Sequence, residues 1–267
     1  AITPDWNSDA AQDGHPSQSN QALGGWKFAN VKDGVFAHYF HVNDADGNLA
    51  HIPDSVKDDE AVYVADMIST GFMGAENADI PMGGTVAVFA QGPIGLMCTA
   101  GARLQGAGTI IAVDSRPERI ELAREYGADE TVNFEEVDPV ETILDLTEGQ
   151  GVDAAIEALG SSETFENCVE VTKPGGTVSN VGYHGEGEHV NLPREAWGVG
   201  MAEKTIATGL CPGGRVRLER LLRLLENDRV DPTPMTTHRF PFAEIEDAFE
   251  LMESKEDGVI KPLVEFD

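Results

Sequence analysis

Short apolar, β-branched runs alternate with amphipathic stretches between residue 85 and about residue 210. The runs occupy residues 85–89, 109–114, 130–134, 152–158 and 177–181. The stretch at 117–126 opens on Pro117 and is followed by Gly127, which are start and stop signals of a helix. This alternation predicts an α/β fold with a doubly wound parallel sheet and crossover helices.

The flanking segments have a different pattern. Residues 31–53 are rich in aromatic side chains and turn residues, and Asp46–Gly47 is a tight-turn signal, so this part is predicted to be β-rich. Leucines at 218, 221, 222 and 225 have helical spacing, as do the apolar residues at 245, 248, 249 and 252. The last apolar run, 259–264, predicts a strand. We expect these tail elements to return to the first domain.

Charge and composition exclude several classes of function. The chain has 267 residues, of which 41% are hydrophobic, and its formal charge is -29 from 47 acidic and 18 basic residues. Nucleic acid is excluded as a partner because phosphate binding needs concentrated Lys and Arg. No run of eighteen apolar residues and no secretion signal occur, so we expect a cytoplasmic protein without a membrane partner. The dispersed acidic excess predicts a salt-adapted surface.

The three cysteines, Cys98, Cys168 and Cys211, are too few and too scattered for a disulfide framework or a four-cysteine zinc site. We expect them to be free thiols in apolar surroundings.

A glycine-rich turn lies between the first predicted strand and the following helix, in the segment TVAVFAQGPIGLMCTAGARL. Backbone amides and the dipole of a helix N-terminus at such a turn can hold a pyrophosphate, and Gly92 and Gly95 would shape it. Ala90 replaces the first glycine of the strict motif, and a tight structural turn is the alternative interpretation. Asp114 lies 19 positions beyond Gly95, where this fold places the group that binds the adenosine ribose.

Asp114 also bears on which dinucleotide is bound. A carboxylate accepts hydrogen bonds from a free 2'-hydroxyl and repels a 2'-phosphate, which favours NAD over NADP. Ser115 and Arg116 leave NADP open because both can donate to a phosphate, although Arg116 can equally stack on adenine.

The chain as a whole resembles the zinc-dependent, medium-chain secondary alcohol dehydrogenases of bacteria and archaea. The segments that carry the likeness are AITPDW, GGWKFANVKDGVFAHYFHVNDADGNLAHIPD, ADMISTGFMGAE, GLCPGGRVRLERL and VIKPL. The resemblance implies a Rossmann domain, at 70–210, inserted in a truncated GroES-like β-rich catalytic domain, at 1–69 and 211–267. It also implies reversible hydride transfer between a secondary alcohol or ketone and NAD(P), in a homotetramer.

The family's catalytic zinc is held by a Cys and a His from a segment upstream of the residues present here, and by an Asp that matches Asp66. The resemblance therefore implies that Asp66 is a metal ligand, whereas its residue type alone favours a helix cap or a buried carboxylate. We expect the 267-residue chain to lack a complete catalytic zinc site and to turn over poorly. No structural zinc is expected. His38 and His41 are predicted to point to opposite faces of a strand, and the other histidines to lie at the surface or in loops.

Further site residues follow from matching positions in the family. The substrate pocket is expected to be lined by Ile2, Trp26, Leu210 and Cys211, although the residue types alone favour Trp26 and Leu210 as ordinary core residues. Phe134 stands where NADP-linked relatives have a Tyr, which again favours NAD. The residues expected near the dinucleotide are Thr70, Gly92, Pro93, Ile94, Gly95, Asp114, Ser115, Arg116, Val181, Tyr183 and Lys255.

Two alternative functions stay open at this point. One is a chain that binds the dinucleotide without catalysis. The other is a zinc-free quinone or enoyl reductase on the same fold, which the sequence around Asp66 disfavours.

Overall fold

The computed structural model describes residues 2–19 and 34–266. Contacts divide the chain into two compact units. The first contains the residues up to Thr70, Leu210–Ser254 and the residues from Pro262 onward, and the second contains Gly71–Gly209 and Lys255–Lys261. This division differs from the expected one in that 255–261 joins the second unit, where Gly258 faces Glu118, and in that Thr70 and Leu210 belong to the first unit. The assignment of the two units as catalytic and dinucleotide-binding domains stays a prediction.

The second unit contains a six-stranded parallel sheet with the order β3-β2-β1-β4-β5-β6. The strands are β1 (Thr85–Phe89), β2 (Thr109–Val113), β3 (Glu130–Val132), β4 (Val152–Glu157), β5 (Thr172–Asn180) and β6 (Thr205–Thr208). This order reverses between β1 and β4, as in a doubly wound fold. The predicted α/β class is confirmed, and each of the five predicted runs overlaps a strand, whereas β6 was not predicted.

Helices cover both faces of this sheet. In chain order the α-helices of the described residues are α1 (Asp9–Gln12), α2 (Ala45–Asn48), α3 (Asp58–Ala61), α4 (Met67–Asn77), α5 (Pro93–Leu104), α6 (Pro117–Tyr126), α7 (Pro139–Leu146), α8 (Ser162–Val171), α9 (Arg215–Glu226) and α10 (Ile245–Ser254). On one face, Phe89 packs with Ile143 and Phe165 from α7 and α8. On the other face, Val88 packs with Cys98 from α5. Both faces are therefore apolar, which explains the nearly continuous hydrophobic runs of the strands.

Strand β5 begins earlier than the predicted run at 177–181. Its first residue, Thr172, pairs with Val152, and the register then shifts so that Thr177 pairs with Ala154. Gly175, with a φ of 77°, lies within this irregularity. The Pro-Gly-Gly sequence that resembles a turn is thus accommodated in the strand as a bulge.

The strands β7 (Thr236–Pro241) and β8 (Lys261–Glu265) form a two-stranded sheet, which belongs to the first unit apart from Lys261. Leu221, Leu222 and Leu225 are buried on α9, as the leucine spacing predicts. Arg239 on β7 forms ion pairs with Asp59 at 2.8 Å and with Glu265 at 2.9 Å, which join three separate parts of the sequence.

The prediction of a β-rich segment at 31–53 is wrong for residues 34–53, which contain turns and α2 but no strand. A strand needs a ladder partner, and this segment is instead held by side chains. Phe36 packs edge-on against Phe249, and His38 packs against Phe242 and Phe266. Asp46–Gly47 lies inside α2 rather than at a hairpin. The strand faces expected for His38 and His41 therefore do not exist.

Within the described residues, no helix has both the length and the apolar character needed to cross a bilayer.

Candidate functional site

The glycine turn follows β1 directly and opens α5. Gly92 is the N-cap of α5, Pro93 is its first residue, and Ile94 and Gly95 follow in the first turn. A side chain at Gly95 would overlap the carbonyl oxygen of Ala90, so only glycine fits this position. A side chain at Gly92 would meet open space, with Arg119 Nη1 4.0 Å away. The turn thus leaves room in front of the free amides of the helix, which suits a pyrophosphate.

Asp114, directly after β2, is fixed beside this turn by backbone amides. Its Oδ2 accepts a hydrogen bond from Gln91 N at 2.7 Å, and its Oδ1 accepts from the amides of Ser115 and Arg116 at 2.8 and 2.9 Å. A carboxylate can accept about four hydrogen bonds, and three amides already donate to Asp114. One acceptor position is left for a further donor such as a ribose hydroxyl. The residue itself is 4% exposed. The geometry therefore fits a dinucleotide at its adenosine end.

Arg119 is a residue of this site that sequence reasoning missed. Its Nη1 lies 3.8 Å from Asp114 Oδ2, and its buried Nε has no hydrogen-bond partner. Arg116, the cation singled out from the sequence, is exposed. Arg119 is the third residue of α6, one helical turn after Arg116, so the spacing i, i+3 was the signal that could have identified it.

The other residues expected near the dinucleotide are spread over several loops. Ser115 is half-buried next to Asp114, and Phe134 is exposed after β3. Val181 and Tyr183 follow β5, at the same edge of the sheet as the glycine turn. Lys255 belongs to the second unit through the segment Lys255–Lys261. Their contacts with a cofactor stay predictions.

Asp66 lies in the first unit, immediately before α4, and is exposed. Its Oδ1 accepts a hydrogen bond from the hydroxyl of Thr70, one turn later, at 2.9 Å. This bond orients the carboxylate and leaves lone pairs free for another partner. Thr70, which was expected beside the dinucleotide, is thus placed next to the expected metal ligand.

Cys211 is close to Asp66. Its Sγ lies 3.6 Å from the carbonyl oxygen of Ala65, and its backbone oxygen accepts from Ile2 N at 3.3 Å. Burial is the main cause that raises the pKa of the Cys211 thiol, and the negative charge of Asp66 adds to it. The structure thus brings Ile2, Cys211 and Asp66 together, with Leu210 half-buried beside Cys211. Trp26 lies outside the described residues.

The described residues contain no group of three or more His, Cys, Asp or Glu side chains that could hold a metal ion. Catalytic zinc sites use three protein ligands, of which Asp66 would supply one. The described residues therefore do not fit a zinc ion by themselves, and the ligand role of Asp66 stays a prediction.

Comparison with known proteins identifies the family. A family model described as zinc-binding dehydrogenase matches residues 93–227. Over 99% of its length the chain is 54% identical to the NADP-dependent isopropanol dehydrogenase of Thermoanaerobacter brockii, and it spans 75% of that protein. The protein of the same name from Clostridium beijerinckii is 50% identical over 98% of the chain and 75% of its own length. The chain belongs to the zinc-type medium-chain secondary alcohol dehydrogenases.

Solved structures of this type agree with that assignment. Zinc dependent alcohol dehydrogenase 2 from Streptococcus pneumonia, in its apo form, matches with a TM-score of 0.88 and 31% identity, over 100% of this chain and 74% of the other. The protein is therefore an oxidoreductase of the alcohol dehydrogenase type, with the predicted Rossmann and GroES-like fold class. The alternatives of a non-catalytic dinucleotide binder and of a zinc-free reductase are not favoured.

Proposed function

We propose that this alcohol dehydrogenase interconverts small secondary alcohols and ketones by hydride transfer with a nicotinamide dinucleotide bound by the second unit. The observation that carries the proposal is the open glycine turn at the N-terminus of α5, with the fixed carboxylate of Asp114 beside it. The relatives named as isopropanol dehydrogenases support the choice of a secondary alcohol as substrate. The half-buried Leu210 and Cys211 next to Asp66 suit a small apolar substrate.

We propose that the second unit prefers NAD to NADP. Three amide donors hold the carboxylate of Asp114 in place, and its negative charge opposes a 2'-phosphate. The relatives named above are NADP-dependent, and Ser115, Arg116 and Arg119 are the groups here that can offset the carboxylate. We expect the charge of Asp114 to have the larger effect on cofactor choice, because Arg119 is already paired with Asp114 and Arg116 is exposed to solvent.

The cofactor proposal is tested with Asp114→Gly and with Asp114→Asn, which keeps the shape but loses the charge. We expect Asp114→Gly to raise the ratio of kcat/KM for NADP to kcat/KM for NAD at least roughly tenfold, because a repulsive charge next to the phosphate is removed. Asp114→Asn should give an intermediate shift. An unchanged ratio in both variants contradicts the role assigned to Asp114.

Asp66 is proposed as the ligand that this chain contributes to the catalytic zinc. When bound, zinc acts as a Lewis acid that makes the alcohol hydroxyl more acidic. Within this chain Thr70 holds the carboxylate of Asp66 in a fixed orientation. Zinc content is measured by mass spectrometry on a form of the protein that also carries the other zinc ligands. It should fall in Asp66→Ala and stay unchanged in Asp79→Ala, which removes another exposed acid. Equal zinc content in both variants would refute the ligand role.

The protein is proposed to act as a homo-oligomer, a tetramer, in the cytoplasm. β6 is the edge strand of the sheet, and apolar side chains near it are exposed: Trp197 by 40%, Val199 by 53%, Met201 by 78% and Ile206 by 39%. An uncovered edge strand flanked by apolar side chains favours association with a second copy. The thiols of Cys98 and Cys168 are free, which agrees with a reducing compartment.

A further inference from the structure

Glu157 is a buried carboxylate that the family resemblance did not single out. It is the last residue of β4 and pairs with Phe89 of β1, so it lies where the strand order of the sheet reverses. It is fully buried, at 0% exposure. Ligands of doubly wound folds bind at this carboxyl edge, beside the switch in strand order.

One oxygen of this carboxylate is held by three donors. Glu157 Oε1 accepts hydrogen bonds from the amides of Leu159 and Gly160, at 3.0 and 2.7 Å, and from the hydroxyl of Thr164 at 2.6 Å. Three donors that converge on one oxygen fix the carboxyl group of Glu157 in a single orientation. The other oxygen, Oε2, has no hydrogen-bond partner.

His184 is the titratable group nearest to Oε2, with its Nε2 3.7 Å away. The same Nε2 lies 2.8 Å from Asn180 Oδ1, and the amide nitrogen of Asn180 donates to Gly182 O at 3.0 Å. Because that bond fixes the orientation of the amide, Asn180 Oδ1 is an acceptor and Nε2 carries its hydrogen. The Nε2 hydrogen is therefore directed at Asn180, and Glu157 Oε2 receives no hydrogen bond from His184.

Glu157 affects the pKa of a cysteine thiol on each face of the sheet. Burial raises the pKa of the Cys98 thiol on α5 and of the Cys168 thiol on α8, and the negative charge of Glu157 raises both further. These two cysteines belong to the separate apolar clusters on opposite faces. Glu157 thus lies near two apolar clusters, and apolar surroundings screen a charge weakly.

Two backbone segments enclose the carboxylate. A side chain at Gly182 would overlap Glu157 Oε2, and a side chain at Gly160 would overlap the backbone of Tyr183. The amides of Val181 and Gly182 also donate to the backbone oxygen of Glu157, at 2.9 and 3.1 Å. Val181 and Tyr183, expected near the dinucleotide, therefore belong to a loop that packs directly on the charged group. A cleft at the surface is lined by residues 160–162 and 183–187.

We propose that Glu157 determines the preference of this site for the oxidised over the reduced form of the dinucleotide. The nicotinamide ring is a cation when oxidised and neutral when reduced, so a fixed negative charge at this edge stabilises the oxidised form selectively. His184 and Asn180 are positioning residues that hold the loop against the carboxylate. The inference rests on the proposed function, since it requires that the second unit binds the dinucleotide.

The test measures dissociation constants by calorimetry for the oxidised dinucleotide, the reduced dinucleotide and ADP-ribose, which lacks the nicotinamide ring. Glu157→Gln should raise the Kd of the oxidised form relative to the reduced form by roughly threefold to tenfold and leave the Kd of ADP-ribose within roughly twofold. Glu157→Leu, which is uncharged and of similar volume, is the second variant if Glu157→Gln does not fold.

Thr164→Val is the matched control because it removes one donor to Oε1 but keeps the charge. It should lower the melting temperature and leave the ratio of the two dissociation constants unchanged. A neutral Glu157 variant that weakens both redox forms equally, or a Thr164→Val variant that shifts the ratio as much, overturns the inference. If the unmodified protein binds none of the three ligands, the proposed function itself fails.

Discussion

Ala90 has a φ of 69°, in the left-handed region that favours glycine. Its amide donates to Val113 O at 2.9 Å, and its carbonyl oxygen leaves no space for a side chain at Gly95. The turn therefore keeps the shape that a glycine would give it, even though the sequence departs from the strict motif. An Ala in this conformation costs about 1–2 kcal/mol, which the surrounding contacts offset.

We expect Ala90→Gly to raise the free energy of unfolding by about 0.5–1 kcal/mol. Glycine relieves the backbone strain of the left-handed conformation, but part of this gain is offset because glycine has more conformational freedom in the unfolded chain. Ala158→Gly is the control, because Ala158 follows β4 as Ala90 follows β1 but has no positive φ. The control should lose about 0.5–1 kcal/mol. Urea denaturation at equilibrium measures both, and a loss of stability in Ala90→Gly would show that its backbone is not strained.

At the level of elements, Asp153 joins three strands at the amino edge of the sheet. It lies on β4, its Oδ2 accepts from Thr85 N at the start of β1 at 2.8 Å, and its Oδ1 pairs with Lys173 on β5. Burial acts to raise the pKa of Asp153, but the bonds from Lys173 and Thr85 together lower it below its usual value. The irregular start of β5 thus has a charged contact that holds it in the sheet.

We expect Asp153→Asn to lower the free energy of unfolding at neutral pH by about 1–2 kcal/mol, since a hydrogen bond and ion pair to a charged group are weakened. Because the pKa of Asp153 is lower in the folded than in the unfolded protein, its charged form stabilises the fold at pH values above the unfolded pKa of about 3.9. This stabilisation is lost as the pH falls through the folded pKa. The difference in the free energy of unfolding between the unmodified protein and Asp153→Asn should therefore become smaller in acid. Asp129→Asn, at a carboxylate that accepts from Ile110 N at 2.8 Å, controls for loss of a similar backbone bond. A gap that is independent of pH would contradict this account.

At the level of the whole molecule, the charge of -29 dominates the surface. Such an excess destabilises the compact state by self-repulsion, and salt relieves it as the screening length falls from about 10 Å at 0.1 M to about 3 Å at 1 M. The same screening reduces the repulsion of an anionic dinucleotide. Salt adaptation stays a prediction for this chain.

We expect the melting temperature to rise between 0.1 and 1 M KCl, by roughly several degrees, because repulsion between like charges is screened. Replacing the exposed Glu135 and Glu253 with Lys should raise the low-salt melting temperature and flatten its dependence on KCl. Differential scanning calorimetry across the salt series measures both effects. A steady fall in melting temperature with KCl would refute salt adaptation.

The sequence by itself determined the strands, the glycine turn and the position of Asp114, because strand and helix periods and turn residues depend on neighbours along the chain. The prediction of strands in residues 34–53 was wrong, and β5 was predicted to begin several residues after its actual first residue. Both errors arise because a strand exists only if a distant segment pairs with it. The contact of Arg119 with Asp114, the burial of Glu157 and the contacts around Asp66 and Cys211 emerged only from the tertiary structure. Their chemistry depends on which remote groups share a buried, weakly screened environment, and that is a property of packing rather than of local pattern.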